Sequence, residues 1–178
     1  TEFWGEMLER LNIRFREPPA AVLDPDSPVE SPVWLPGARL NIFDSCFGAP
    51  SNDIAIVYQP EGGEIGRVTY GELDALSSRV AWGLVAGGIA AGDAVAVCMP
   101  MTIEAVAIYL GILKVGGVVV SIADSFAPRE ITTRLRIAPV SAMFTQDKVQ
   151  RAGREIPLFA RVAEAASAAA IVIPADPA

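Results

Sequence analysis

Apolar residues recur along the chain with two different periods, and their arrangement predicts an α/β fold. Short apolar or β-branched runs are typical of buried strands, and such runs lie at residues 92–100, 118–123, 141–146 and 170–173. Segments with helical spacing fill the intervals, at residues 70–88, 103–117, 129–137 and 159–168. This order predicts a doubly wound, largely parallel sheet flanked by helices. Two earlier runs around a Glu-Gly-Gly turn predict a hairpin, at 54–58 and 64–70.

Short local signals predict where the helices begin and end. Thr69 and Glu72 have the spacing of a capping box, and Gly87 begins a glycine pair that ends the same helix. Thr102 is suited to cap the next helix, and Pro128 to open the one after it. The first of these helices carries one predicted apolar stripe, formed by Tyr70, Leu73, Leu76, Val80 and Leu84.

The N-terminal part of the chain has a different character. Residues 2–15 have the apolar spacing of a short amphipathic helix. Residues 17–37 hold six prolines, a density that opposes regular structure and predicts an extended arm. We therefore divide the chain into an N-terminal helix and proline-rich arm, residues 1–37, and an α/β part, residues 38–178.

Composition and charge exclude several classes of protein. The 178 residues are 52% hydrophobic, which is typical of a globular chain with a sizeable core. The formal net charge of −7 argues against nucleic-acid binding, which needs a basic surface. No apolar run reaches the roughly 18 residues of a membrane span, and the acidic N-terminus does not resemble a signal peptide. We expect a cytoplasmic protein that binds neither nucleic acid nor membrane.

The absence of histidine and the low number of cysteines limit the possible chemistry. Without histidine the chain has no Ser-His-Asp or Cys-His catalysis and lacks the commonest zinc ligand. Cys46 and Cys98 are the only cysteines, and we expect two free, partly buried thiols in a reducing compartment rather than a disulfide. The glycine fingerprints GxxxxGK[ST] and GxGxxG are absent as well, so a dinucleotide-binding oxidoreductase is a weak alternative.

Candidate binding residues follow two of the predicted strands. Ligands of doubly wound sheets bind beyond the carboxyl ends of the strands. Asp124 and Ser125 come directly after one strand, where they either belong to a helix N-terminal cap or hydrogen-bond a ligand. Arg151 and Arg154 follow another strand in QRAGR, within a segment that we predict to be a turn or short helix. Two guanidinium groups beside a glycine fit a phosphate, although a solvated turn is the alternative.

Several longer stretches resemble one enzyme family. WLPGARLN, YGEL, GDAVAV, LKVGGVVVSI and RAGREIPL are similar to the N-terminal part of the acetyl-CoA synthetase type of acyl-CoA ligase, within the adenylate-forming, or AMP-binding, superfamily. The resemblance runs from about Val33 to Phe159. It implies a partial large N-terminal domain of an acyl-CoA synthetase-like fold. It also implies that a carboxylate reacts with Mg-ATP to give an acyl-adenylate, from which coenzyme A displaces AMP.

The same resemblance implies roles for five residues. The arginines of the RAGR-type segment contact the 3′-phosphate of coenzyme A in this family, and these are Arg151 and Arg154 here. The segment after the GGVVVSI strand lies near the coenzyme A adenine, which places Ala123, Asp124 and Ser125 there. The family's usual Phe-Gly-Gly run is replaced at these positions. No catalytic residue and no metal ligand is expected among the 178 residues.

The family's TSGTTGxPK-like phosphate loop and its adenylation lysine have no counterpart in this sequence. Since the chain begins at Thr1 and ends at PADPA after an apolar run, we interpret it as part of a longer ligase. We expect it to be inactive alone and to bind no cofactor tightly, and an exposed apolar face would favour self-association. The alternative is a stand-alone, non-catalytic α/β module that binds or interacts through the same fold.

Overall fold

The computed structural model describes residues 2–165 and 169–175. Their contacts divide the chain into two compact units, Thr1–Ala49 and Pro50–Ala178. The first unit contains helices α1 (Glu2–Arg10) and α2 (Ile42–Cys46). The second contains strands β1 (Ile54–Tyr58), β2 (Gly66–Thr69), β3 (Ala94–Cys98), β4 (Val118–Ser121), β5 (Ala142–Gln146), β6 (Val149–Arg151), β7 (Arg154–Ile156) and β8 (Ala169–Ile173). Its helices are α3 (Tyr70–Ala86), α4 (Ile103–Lys114), α5 (Pro128–Ile137) and α6 (Leu158–Ala165).

The first unit confirms the predicted N-terminal helix but shortens it. Asn12 has a left-handed φ of 49°, and the Ile13 N–H donates to the Leu8 carbonyl at 3.0 Å. This is the bonding of a Schellman cap, in which asparagine tolerates the left-handed position, so the helix ends well before residue 15. The proline-rich segment then turns back on itself, with one antiparallel bridge between Glu17 and Arg39 and another between Leu23 and Trp34.

The second unit is built on a parallel sheet whose described strands are ordered β4-β3-β5-β8. Helices cover both faces of this sheet. On one face Leu84 of α3 and Ile108 and Ile112 of α4 pack with strand residues. On the other face Ile131 of α5 and Leu158 and Val162 of α6 pack with another set of strand residues. The predicted doubly wound α/β fold is therefore confirmed, and β1 and β2 form the predicted antiparallel hairpin beside the sheet.

Helix α3 follows its predicted boundaries and partly follows its predicted stripe. Thr69 and Glu72 form the complete capping box, and Gly87 ends the helix. Leu73 and Leu84 of the stripe are buried, but Tyr70, Leu76 and Val80 are only half-buried. Ser77 and Ala81 take the remaining buried positions, and the Ser77 hydroxyl donates to the Leu73 carbonyl at 2.8 Å. Small residues there let α4 approach closely.

The segment between β5 and α6 differs from the prediction. Residues 149–156 form a β-hairpin rather than a turn or short helix, and Arg151 pairs directly with Arg154 across it. The two loop residues, Ala152 and Gly153, have φ values of 51° and 70°. A two-residue hairpin loop with both residues left-handed matches the twist of the strands, and glycine supports it at the second position. We call residues 149–156 the arginine hairpin.

The C-terminal elements agree with the prediction where they are described. Helix α6 begins at Leu158, and β8 pairs in parallel with β5 as the last described strand. The predicted end of the helix at residues 166–168 lies outside the described residues. Among the helices of the described ranges, none combines the length and apolar character required to cross a membrane.

Candidate functional site

Two of the predicted site residues meet at the carboxyl edge of the sheet. Arg151 donates from Nη2 to Oδ2 of Asp124 at 2.8 Å. The Asp124 side chain is only 13% exposed, whereas that of Arg151 is 51% exposed. The carboxylate is therefore held against the body of the unit, while the guanidinium keeps a solvent-facing side with donors to spare. This pair decides against a capping role for Asp124, since the α5 N-cap residue is Ala127.

The other predicted residues lie nearby in the chain but make fewer contacts. Arg154 is exposed directly across the hairpin from Arg151. Ala123 and Ser125 flank Asp124 and are also exposed. Within residues 2–165 and 169–175, neither Arg154 nor Ser125 forms a side-chain ion pair or hydrogen bond. Their polar groups therefore face solvent and are available to a ligand.

A third element of the site was not predicted. The Ala152 N–H donates to Oε2 of Glu61 at 3.0 Å, and the Gly153 N–H donates to Oε1 of the same carboxylate at 2.7 Å. Glu61 belongs to the loop between β1 and β2, about ninety residues earlier in the chain. The sequence near Glu61 does not predict this contact, because it shows only a Glu-Gly-Gly turn and the partners lie about ninety residues later.

The two exposed guanidinium groups of the arginine hairpin suit an anion, whereas its loop amides already bind the Glu61 carboxylate. Consecutive N–H groups of a left-handed loop point to one side and bind carboxylate or phosphate oxygens. Arg151 and Arg154 flank that loop. Lys148 is paired with Glu155 at 3.1 Å, which stabilises the base of the hairpin. The described residues contain no cluster of histidine, cysteine, aspartate and glutamate that could hold a metal ion.

Cys98 lies buried beside this site at the end of β3. Its Sγ is 3.9 Å from the Ala123 carbonyl oxygen. Burial, together with the negative charge of Asp124, raises the pKa of the Cys98 thiol to about 11. A thiol with such a pKa is protonated at neutral pH and is a poor nucleophile. Both cysteines are free in the structure, and Cys46 is exposed rather than partly buried as predicted.

Comparison with known proteins identifies the family. The model of the AMP-binding enzyme family matches residues 43–177, and that of the acetyl-coenzyme A synthetase N-terminus matches residues 1–46. The chain belongs to the AMP-binding enzyme family. The predicted resemblance is therefore confirmed over nearly the whole chain.

The relatives of this AMP-binding chain are named as an acyl-activating enzyme and a coenzyme A ester synthase. The probable acyl-activating enzyme 17, peroxisomal, of Arabidopsis thaliana is 43% identical over 97% of this chain and 25% of its own length. The hexanoyl-CoA synthase of Cannabis sativa is 42% identical over 97% of the chain and 25% of its own length. The chain thus spans about a quarter of the curated relatives that it matches.

A solved structure shows the same fold for this AMP-binding chain. The acetoacetyl-CoA synthetase from Streptomyces lividans superimposes with a TM-score of 0.89 and 31% identity, over 99% of this chain and 29% of that chain. The doubly wound sheet and its flanking helices therefore correspond to part of an acyl-CoA synthetase fold.

Proposed function

We propose that this chain is the N-terminal part of an ATP-dependent acid–coenzyme A ligase. In that reaction a carboxylate attacks the α-phosphate of Mg-ATP and releases pyrophosphate. The coenzyme A thiol then displaces AMP from the acyl-adenylate. The single observation that carries the proposal is the arginine hairpin, which presents Arg151 and Arg154 on one exposed loop of this fold. The first half-reaction would use residues outside this chain, so the chain alone is inactive in this proposal.

In the proposed complex the arginine hairpin binds the 3′-phosphate of coenzyme A. A phosphate accepts several hydrogen bonds at once, and a guanidinium offers five donors in a planar fork. Arg151 donates one of these to Asp124 and retains the others, while Arg154 is unpaired among the described residues. The adenine would lie against Ala123, Asp124 and Ser125, where the Ser125 hydroxyl is exposed. Asp124 would orient Arg151 rather than contact the phosphate.

The test compares coenzyme A with 3′-dephospho-coenzyme A in the complete protein that carries this chain. The wild-type ligase should have a lower KM for coenzyme A than for 3′-dephospho-coenzyme A. The double variant Arg151→Ala, Arg154→Ala should lose that preference, by roughly ten- to a hundredfold in KM, because two charge-assisted contacts are removed. Arg79→Ala is a matched control, since Arg79 is exposed on α3. A wild-type enzyme indifferent to the 3′-phosphate would overturn the proposed role of the arginines, and one that forms no coenzyme A ester would overturn the proposed reaction.

One observation favours the second candidate, a non-catalytic binding or interaction module. Internal carboxylates already bind two elements of the hairpin, namely Asp124 on Arg151 and Glu61 on the loop amides. A loop satisfied in this way is stable without any ligand. If the complete protein forms no coenzyme A ester from any carboxylic acid and ATP, this second candidate replaces the first.

Three further expectations belong to the same proposal. We divide the chain functionally at residues 37 and 38, and we place the protein in the cytoplasm. Self-association through an apolar face is supported by exposed Met101 and Tyr109, which line a largely apolar cavity of about 480 Å³. Sedimentation of the 178-residue chain at high concentration tests this, and a monomer throughout would contradict it.

A further inference from the structure

Glu61 connects the β1–β2 loop to the loop of the arginine hairpin. Each of its two carboxylate oxygens accepts one backbone N–H, from Ala152 at 3.0 Å and from Gly153 at 2.7 Å. Both distances lie in the ordinary range of N–H···O hydrogen bonds. The carboxylate thus binds both loop residues at once, and it is an anion placed on a loop flanked by two arginines.

The arginine hairpin needs such a contact because it is small. Each of its strands has three residues, and its pairing is confined to those two strands in the described chain. A two-stranded ribbon is only marginally stable in water unless other parts of the protein hold it. Its loop also holds Ala152 at a φ of 51°. This left-handed backbone conformation is energetically unfavourable for a residue with a Cβ atom. Contacts from outside the hairpin must therefore offset both costs.

We propose that Glu61 is a positioning residue for the coenzyme A phosphate site, an inference that rests on the proposed function. Glu61 fixes the loop backbone through the Ala152 and Gly153 amides, and Asp124 fixes one guanidinium through Arg151. With the backbone fixed, the Cα atoms of Arg151 and Arg154 keep the cross-strand spacing of a directly paired position. The Arg151 side chain and the backbone of Arg154 are then placed before the ligand arrives, which lowers the entropy lost on binding.

The contacts of Glu61 distinguish positioning from competition. A competitor for the phosphate would occupy the guanidinium groups, but the described bonds of the Glu61 carboxylate go to backbone N–H groups. The side chain of Arg151 remains 51% exposed, and Arg154 is exposed as well. Removing the Glu61 carboxylate therefore releases the loop backbone. It frees no guanidinium group, because Glu61 bonds neither arginine side chain.

The experiment measures KM and kcat of the complete ligase with coenzyme A and with 3′-dephospho-coenzyme A. In Glu61→Ala we expect KM for coenzyme A to rise by roughly five- to tenfold, the effect of losing hydrogen bonds to a charged group. The KM for 3′-dephospho-coenzyme A and kcat should not change, because they do not depend on the phosphate contact. Glu61→Gln keeps one amide acceptor and should restore part of the affinity.

Glu64→Ala is the matched control. Glu64 is an exposed carboxylate in the same β1–β2 loop, and it makes no hydrogen bond or ion pair with the described residues. Its removal changes the net charge by the same amount, so it reports the general electrostatic effect. If Glu61→Ala leaves the KM for coenzyme A at or below that of Glu64→Ala, the inference is wrong. Equal weakening of both coenzymes would also overturn it, because that result indicates general damage to the fold.

Failure of the proposed function gives a different result. If the wild-type ligase does not distinguish the two coenzymes, the 3′-phosphate site does not exist, and both the proposed role of the arginines and the role of Glu61 are overturned. If the wild type distinguishes them and Glu61→Ala does so equally well, only the role of Glu61 is overturned.

Discussion

Arg151 of β6 and Asp124, which follows β4, form an ion pair at 2.8 Å between residues 27 positions apart in the chain. The pair joins the arginine hairpin to the carboxyl edge of the sheet. Because the Asp124 side chain is largely buried and that of Arg151 is half-exposed, the carboxylate directs the guanidinium and lowers the positive potential around it.

Replacing Asp124 by asparagine separates these two effects. Asp124→Asn keeps a carbonyl oxygen for Arg151 but removes a negative charge near the proposed phosphate. We expect the KM of the proposed complete ligase for coenzyme A to fall by about threefold relative to its KM for 3′-dephospho-coenzyme A. Asp53→Asn is the control, since Asp53 is exposed and its carboxylate binds no described residue. A rise in KM for coenzyme A would mean that the charge of Asp124 matters more for orienting Arg151 than for repelling phosphate.

Gly111 of α4 packs tightly against α3. A Cβ added there would lie 2.7 Å from Cβ and Cγ1 of Val80 and 3.0 Å from the Ser77 carbonyl oxygen. Gly111→Ala should therefore lower the free energy of unfolding by about 1–3 kcal/mol, although alanine is the better helix former. Urea denaturation followed by circular dichroism measures the change.

Gly83→Ala provides the opposite case. Gly83 also lies within a helix, but a Cβ added there has nothing within 4 Å. This variant should raise the free energy of unfolding by up to about 1 kcal/mol through helix propensity alone. Equal effects of the two substitutions would contradict the close packing of α3 against α4.

The elements that could be predicted from sequence are those with local signals. Thr69 with Glu72, Thr102 and Pro128 each mark a helix start through bonds or angles within one turn, and all three starts are confirmed. The arginine hairpin was missed because its strands are too short to show a period and because alanine at residue 152 hides a left-handed position.

The site shows the same limit. The approach of Asp124 to Arg151 follows from topology, since β4 and β5 are parallel members of one sheet and their carboxyl ends lie at one edge. The contact of Glu61 with Ala152 and Gly153 depends on where the β1–β2 loop lies in three dimensions, which no spacing in the sequence encodes.

The capping box of α3 contributes stability that depends on pH. Thr69→Ala should lower the free energy of unfolding by about 1 kcal/mol. Thr69→Ser should leave the free energy of unfolding nearly unchanged, because serine retains the hydroxyl that accepts the Glu72 N–H. Denaturant unfolding at pH 7 measures both variants. Full retention of stability by Thr69→Ala would contradict the cap.

Glu72 gives this cap its pH dependence. Hydrogen bonds from the Thr69 backbone and hydroxyl lower the pKa of Glu72 from its ordinary value of 4.5. Its contribution is therefore present above pH 4.5 and is lost as the pH falls through the lowered pKa. In Glu72→Gln, the fall of stability below this pH should be shallower than in the wild type. Identical acid profiles would contradict the assignment.

Cys98 gives the opposite dependence at high pH. The pKa of Cys98 in the folded chain is about 11, above its ordinary value of 9.0. The thiol of the folded state therefore stays protonated to a higher pH than that of the unfolded state. The contribution is present below pH 9.0 and is lost as the pH rises towards 11. The loss of stability between these values should be smaller in Cys98→Ala, by about 1 kcal/mol at pH 10.

Thiol titration of the native chain gives an independent measurement. A disulfide reagent at pH 8 should react quickly with exposed Cys46 alone and reach Cys98 only after denaturation. Rapid reaction of two thiols in the native chain would show that Cys98 is accessible and ionised.

The strand order governs how the chain folds during synthesis. Val95 of β3 pairs with Val119 of β4 on one side and with Ala142 of β5 on the other. Strand β5 leaves the ribosome later than β4, by about 1 to 5 s at usual rates of translation. During that interval the apolar edge of β3 is open and can template wrong pairing with other chains. We therefore expect the nascent β3–β4 pair to need protection from aggregation more than the finished sheet does.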